Sequence, residues 1–121
     1  MRSLLGLLVL ALAAAPARVI NVPADQPTIQ AGIDASVNGD TVLAAPGTYF
    51  ENVRFNGRNV TVASRFLLTR DPLDISATVI DGSRPRHPDT ASCVLIIDGE
   101  DSTAVLEGLT LTNGAGTFWQ P

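Results

Sequence analysis

A succession of short apolar runs, each halted by glycine, Pro-Gly, Asp-Gly or Asn-Gly, constrains this chain more than any other feature. Thr41-Val42-Leu43-Ala44-Ala45 stops at Pro46-Gly47, Thr78-Val79-Ile80 at Asp81-Gly82, and Val94-Leu95-Ile96-Ile97 at Asp98-Gly99. Ala104-Val105-Leu106 precedes Glu107-Gly108, and Leu109-Thr110-Leu111-Thr112 precedes Asn113-Gly114. Runs this short and this rich in β-branched residues make strands, and the turn residues redirect the chain between them. The two Asp-Gly stops after Ile80 and Ile97 lie seventeen residues apart. That spacing reads as an internal repeat, as in stacked turns of chain that bury their apolar side chains against one another.

Near the start the periodicity differs. Arg18 to Val22 reads as a first strand ended by Pro23, which cannot donate to a sheet ladder. Ile29, Ile33 and Val37 then recur at every fourth position beside Gly32 and Ser36, predicting a short helix from about Thr28 to Ser36 with a narrow inward stripe. Pro27 suits its first turn and Asn38-Gly39 its exit. Thr41 to Ala45 has the pattern of a strand buried on both faces. Phe50 to Phe55 alternates, and Val60-Thr61-Val62 follows after Asn56-Gly57-Arg58-Asn59. Read locally, that link predicts an antiparallel hairpin with Phe55 facing Val60 and Val53 facing Val62. Phe66 to Ser76, with Asp71-Pro72, reads as a loop, and Ser83 to Thr90 as a polar excursion.

With 121 residues and 45% apolar content, the chain has enough core for one domain. Its net charge is −4 and its cations are all arginines, scattered at positions such as Arg18, Arg54, Arg70 and Arg84. Nucleic acid is therefore not expected as a partner, since phosphate binding needs clustered cations. Met1 to Ala17 has a positive start at Arg2, an apolar run from Leu4 to Ala14 and the small-residue exit Ala15-Pro16-Ala17, the plan of a secretory signal peptide cleaved after Ala17. The competing reading, a membrane anchor, needs roughly 20 apolar residues. This run is shorter and ends in Pro16 and Arg18, so no stable membrane span is expected and the protein is expected to be secreted or held at the cell surface. The single Cys93 leaves no partner for an internal disulfide and reads as a small buried apolar residue.

The groups Val22-Pro23, Pro27-Thr28-Ile29-Gln30, Ile33-Asp34-Ala35, Gly39-Asp40-Thr41-Val42, Ala45-Pro46-Gly47-Thr48-Tyr49 and Glu51-Asn52-Val53 resemble the opening of right-handed parallel β-helix proteins of the pectin-lyase-like superfamily. The resemblance covers Ile20 to Ser64 and returns from Val94 to Gly114. It implies an all-β solenoid start with one short N-terminal capping α-helix. Ile29, Ile33 and Val37 would close the open end of the stack, and Pro46, Gly47 and Tyr49 would form the turn into the first complete coil. It also replaces the hairpin after Phe55 with a solenoid turn. The expected layout is a signal peptide over Met1 to Ala17, cap and first coils over Arg18 to Gly116, and a tail from Thr117 to Pro121 at a truncation. In the alternative, Phe118 and Trp119 fold back as a lid.

No stretch matches the catalytic lines of a pectin methylesterase, so no catalytic or cofactor-binding residue is carried over. Arg84-Pro85-Arg86-His87-Pro88-Asp89 holds cations suited to an acidic sugar, set against its reading as a solvated insertion. His87 has no second histidine with which to build a ligand set. Asp98, Glu100 and Asp101 form the densest acidic cluster, a candidate calcium site without EF-hand spacing, set against plain turn duty. Asn59-Val60-Thr61 fits a glycosylation acceptor. Tyr49, Phe50 and Phe55 are candidates for a sugar-stacking surface or for core. The expected function is that of an exported scaffold, adhesin or glycan-binding surface whose partner is an extracellular polysaccharide or cell-surface glycan. The alternatives are the leading part of a polysaccharide-active enzyme, of methylesterase or lyase type, and a small antiparallel binding domain complete in itself.

Overall fold

The computed structural model describes residues 16–118, so the expected signal peptide up to Ala15 and the expected tail from Trp119 to Pro121 lie outside the described residues. The described chain is mostly short strands with three short helices. Strand β1 (Val19–Val22) leads to helix α1 (Ile29–Asp34), followed by β2 (Thr41–Ala44), β3 (Gly47–Phe50) and β4 (Val53–Arg54). Next come β5 (Thr61–Ser64), helices α2 (Phe66–Thr69) and α3 (Pro72–Ala77), and β6 (Thr78–Asp81). The remainder is β7 (Thr90–Ala91), β8 (Val94–Leu95), β9 (Val105–Glu107), β10 (Thr110–Thr112) and β11 (Gly116–Thr117).

Strand pairing links residues far apart in sequence. One sheet runs β1-β2-β5-β9, a second β3-β6-β10 and a third β4-β8, and every pair in these three is parallel. A fourth pair, β7-β11, is antiparallel. The chain visits the first, second and third sheets as β2, β3 and β4, returns through them as β5, β6 and β8, and begins again with β9 and β10. Each return lays a strand beside its predecessor and aligns side chains across the sheet. Ile20, Val42, Val62 and Leu106 stand in one line, and Tyr49, Ile80 and Leu111 in another. The predicted hairpin is absent: Val62 pairs with Val42, and Val53 with Val94. Asn56 and Gly57, both with positive φ, turn the chain from one sheet to the next instead of reversing it.

Helix α1 forms where the sequence placed it, shorter than expected. Thr28 is its N-cap, accepting the Ala31 N–H at 3.0 Å, so Pro27 precedes the cap and does not occupy the first turn. Ile29 and Ile33 are completely buried, but Val37 is 57% exposed. The helix ends at Asp34, and the fourth-residue periodicity has no helical face to follow by position 37. Its close contact comes from Gly32, where an added Cβ would lie 2.8 Å from a Val42 methyl.

Several local expectations give way to the packing. Residues Gly47 to Tyr49, expected in a turn, belong to a strand paired with β6, and the chain changes sheet at Ala45-Pro46. β2 buries only Val42 and Ala44, and Thr41 and Leu43 on its other face are partly exposed. The stretch from Phe66, expected as a loop, contains α2 and α3, so the single expected helix becomes three. There Asp71 caps α3 by accepting the Leu73 N–H at 3.0 Å, and Pro72 starts the helix. Ile96 and Ile97 lie exposed beyond β8. The seventeen-residue recurrence is not the packing period, since Asp81 ends a strand of the second sheet, flanked by Phe50 and Thr112, whereas Asp98 follows the third. Phe118 is 77% exposed, and Trp119, its expected partner in a lid, lies outside the described residues.

Asp40 joins helix to sheet. Its carboxylate is 1% exposed and accepts the Val37 N–H at 2.9 Å, the Arg18 N–H at 2.9 Å and the Arg18 guanidinium at 3.1 Å. These donors, the Val37 N–H foremost, hold its pKa below the ordinary 3.8. A carboxylate with a lowered native pKa stabilises the fold fully above its unfolded pKa and loses that contribution as pH falls through the native value. In urea unfolding, the stability gap between wild type and Asp40→Asn should therefore be constant from about pH 7 to about pH 5 and close below about pH 4. A gap unchanged in acid would contradict this role.

Candidate binding groove

The first turn of α1 is tied to the start of β4 by side chains, and this joint floors a groove of about 520 Å³. The Glu51 carboxylate accepts the N–H groups of Ile29 and Gln30, each at 2.9 Å, satisfying donors that a helix start leaves unpaired. The Gln30 amide accepts the Arg54 N–H at 2.8 Å and donates to the Arg54 carbonyl at 2.9 Å. β4 has a strand neighbour, β8, on one side only, so Gln30 supplies on the other the paired bonds a further strand would have made. Asn52 donates to the carbonyls of Gly82 and Ser92, at 3.1 and 3.0 Å, and so links successive passes of chain. The residues of the Gln30 and Glu51-Asn52 groups are visible in the sequence, but their partners lie 21 to 40 positions away.

Gln30→Ala should cost about 2 kcal/mol, because two bonds disappear and the Arg54 backbone groups lose their partner. Equilibrium urea unfolding checks it; a loss below about 0.5 kcal/mol would show that water substitutes fully.

The groove wall comes from the polar excursion between β6 and β7, which carries Arg84, Arg86 and His87. The Arg84 guanidinium lies 3.8 Å from the centroid of the Phe50 ring, a cation–π contact that orients it. Phe50 remains 45% exposed, whereas Phe55 is fully buried and Tyr49 is partly buried with its hydroxyl donating to the Ala45 carbonyl at 2.6 Å. The three aromatic candidates thus divide into core (Phe55), corner (Tyr49) and groove (Phe50). Burial pushes the Tyr49 phenol upward, with Glu51 adding to the effect. Among the described residues the ion pairs engage Arg18, Arg54 and Arg70, leaving Arg84 and Arg86 outside them. The pairing of Arg84 with Phe50 joins residues 34 positions apart, and no local pattern announces it.

The acidic cluster is not gathered into a cation site. Asp98 binds Arg54 through both oxygens at 2.7 and 2.6 Å, which, foremost among causes, lowers its pKa. Glu100 accepts the N–H groups of Gly57 and Asp98, and Asp101 accepts that of Thr103. Among the described residues no group of three or more His, Cys, Asp or Glu side chains is placed to hold a metal ion. Each of the three carboxylates is committed to a different donor, the arrangement of turn duty. In the candidate glycosylation motif, Asn59 Oδ1 accepts the Asp101 N–H at 2.8 Å, a contact between passes that does not use the amide nitrogen to which a glycan would attach. Cys93 is buried, beside Gly82 and Gly114. Among the described residues no helix is long and apolar enough to cross a membrane.

No family model matches the chain, and neither does any curated protein or solved structure.

Proposed function

We propose that this chain is the capped start of an exported right-handed parallel β-helix that works outside the cell as a scaffold or adhesin and binds an extended glycan along the groove beside Phe50. The repeated visits to three parallel sheets support the architecture, with α1 taking the place of a preceding coil. One observation carries the binding reading: an exposed aromatic ring with an oriented guanidinium over it, in an open groove. An aromatic face offers an apolar platform, and an arginine fork offers several donors to hydroxyl or carboxylate oxygens. The floor groups make binding a better reading than catalysis. Glu51 is held by the helix start and Arg54 by Asp98, so neither is poised for proton transfer.

Affinity electrophoresis of the full chain through gels containing soluble neutral or acidic polysaccharides tests the proposal. At least one polysaccharide should retard the protein, and Phe50→Ala should weaken that binding about tenfold, matching the loss of one aromatic contact. The fold should be unaffected, since the ring is exposed. Migration unchanged by every polysaccharide, or retardation indifferent to both Phe50→Ala and Arg84→Ala, would remove the groove from consideration.

A further inference from the structure

We propose that Asp40 is the receptor for the mature amino terminus. Hydrolysis of the Ala17–Arg18 bond adds water across it, leaving a carboxylate on Ala17 and an ammonium on Arg18 that pairs with the buried Asp40 side chain. This rests on the reading that the chain is exported with its leader removed.

The geometry is already in place in the uncut chain. The Arg18 amide nitrogen lies 2.9 Å from Asp40 Oδ1, while Oδ2 accepts the Arg18 guanidinium and the Val37 N–H. Pro16 and Ala17 are exposed and precede the first strand. Sheet bonding begins with the Arg18 carbonyl, which accepts the Thr41 N–H at 2.9 Å. Among the described residues, the sheet bonding therefore starts directly after the bond that the small-residue motif marks for cutting. Among the described residues, cleavage removes only Pro16 and Ala17, both exposed. It replaces an amide carrying one proton with an ammonium carrying three and a full charge, directed at a carboxylate that is 1% exposed. In the uncut chain the bond has one ionised partner, the carboxylate; with an ammonium as donor both partners are charged and the bond becomes an ion pair. The processed chain is thus more stable than its precursor, and folding is completed by export.

The test expresses the full chain in a secreting host and identifies the first residue of the product by mass spectrometry; Arg18 is expected. The processed protein is then compared with one retaining Pro16-Ala17, each with and without Asp40→Asn. Retaining the two residues should lower the unfolding midpoint by about 5 °C when Asp40 is present, and by much less when it is asparagine. Should Asp40→Asn fail to fold, the titration of the amino group in the processed wild type decides: a pKa above the ordinary range of about 7.7–8.0 is expected. An ordinary value, or a midpoint difference that survives Asp40→Asn, overturns the pairing. A product retained in the cell with its leader intact overturns the export reading and the processing site together, whereas an exported product beginning elsewhere overturns the processing site alone.

Discussion

Replacing Phe55 with alanine is expected to destabilise the protein by about 3–5 kcal/mol, the usual cost of emptying a buried phenylalanine site. Phe55 is the largest of the fully buried side chains and belongs to the main apolar cluster with Val53, Val60 and Val62. Its N–H is bonded to the Leu95 carbonyl at 3.1 Å, so the backbone cannot readily collapse into the space the ring leaves. A domain of this size has a total stability of about 5–15 kcal/mol. The loss is therefore a large fraction of the whole, and partial unfolding at room temperature is the expected appearance. Equilibrium urea unfolding, with Phe55→Leu as a milder comparison, measures it. A cost under about 1 kcal/mol would mean that the ring is not packed among these residues.

Ile33→Ala should cost about 2–4 kcal/mol, whereas Val37→Ala should change stability by less than about 0.5 kcal/mol. The two residues belong to one every-fourth-position pattern and have similar chemistry, and differ in placement. Ile33 is sealed in the main core, whereas Val37 lies past the helix end and is largely exposed. Comparing the two unfolding midpoints asks directly whether α1 closes the core with two isoleucines and Gly32. Equal losses at both positions would restore the three-residue stripe that the spacing predicts.

The placement of most strands is legible in the sequence, because alternation and turn residues act over a few positions. The apolar runs at Val42, Val62, Ile80 and Leu106 all lie in strands. So is the helix start, where Thr28 supplies a cap through its own side chain. α3 was equally local, since Asp71-Pro72 is both a turn signal and a cap followed by a first-turn proline, and only its neighbours decided between the two. The groove was barely legible. Arg84, Arg86 and His87 stood out as an unusual cluster, but nothing near them in sequence named Phe50 as the surface on which Arg84 rests.

By itself the sequence determined which segments extend and where they stop, for those choices depend on backbone preference and capping within a single turn of chain. Tertiary structure decided which strand lies beside which. Val62 chose Val42 over Val53, and Gln30 came to complete the unpaired edge of Arg54, because parallel ladders join residues some twenty or more positions apart. At such separations the free energy of pairing depends on which faces must be buried together, and no window of the chain contains both partners.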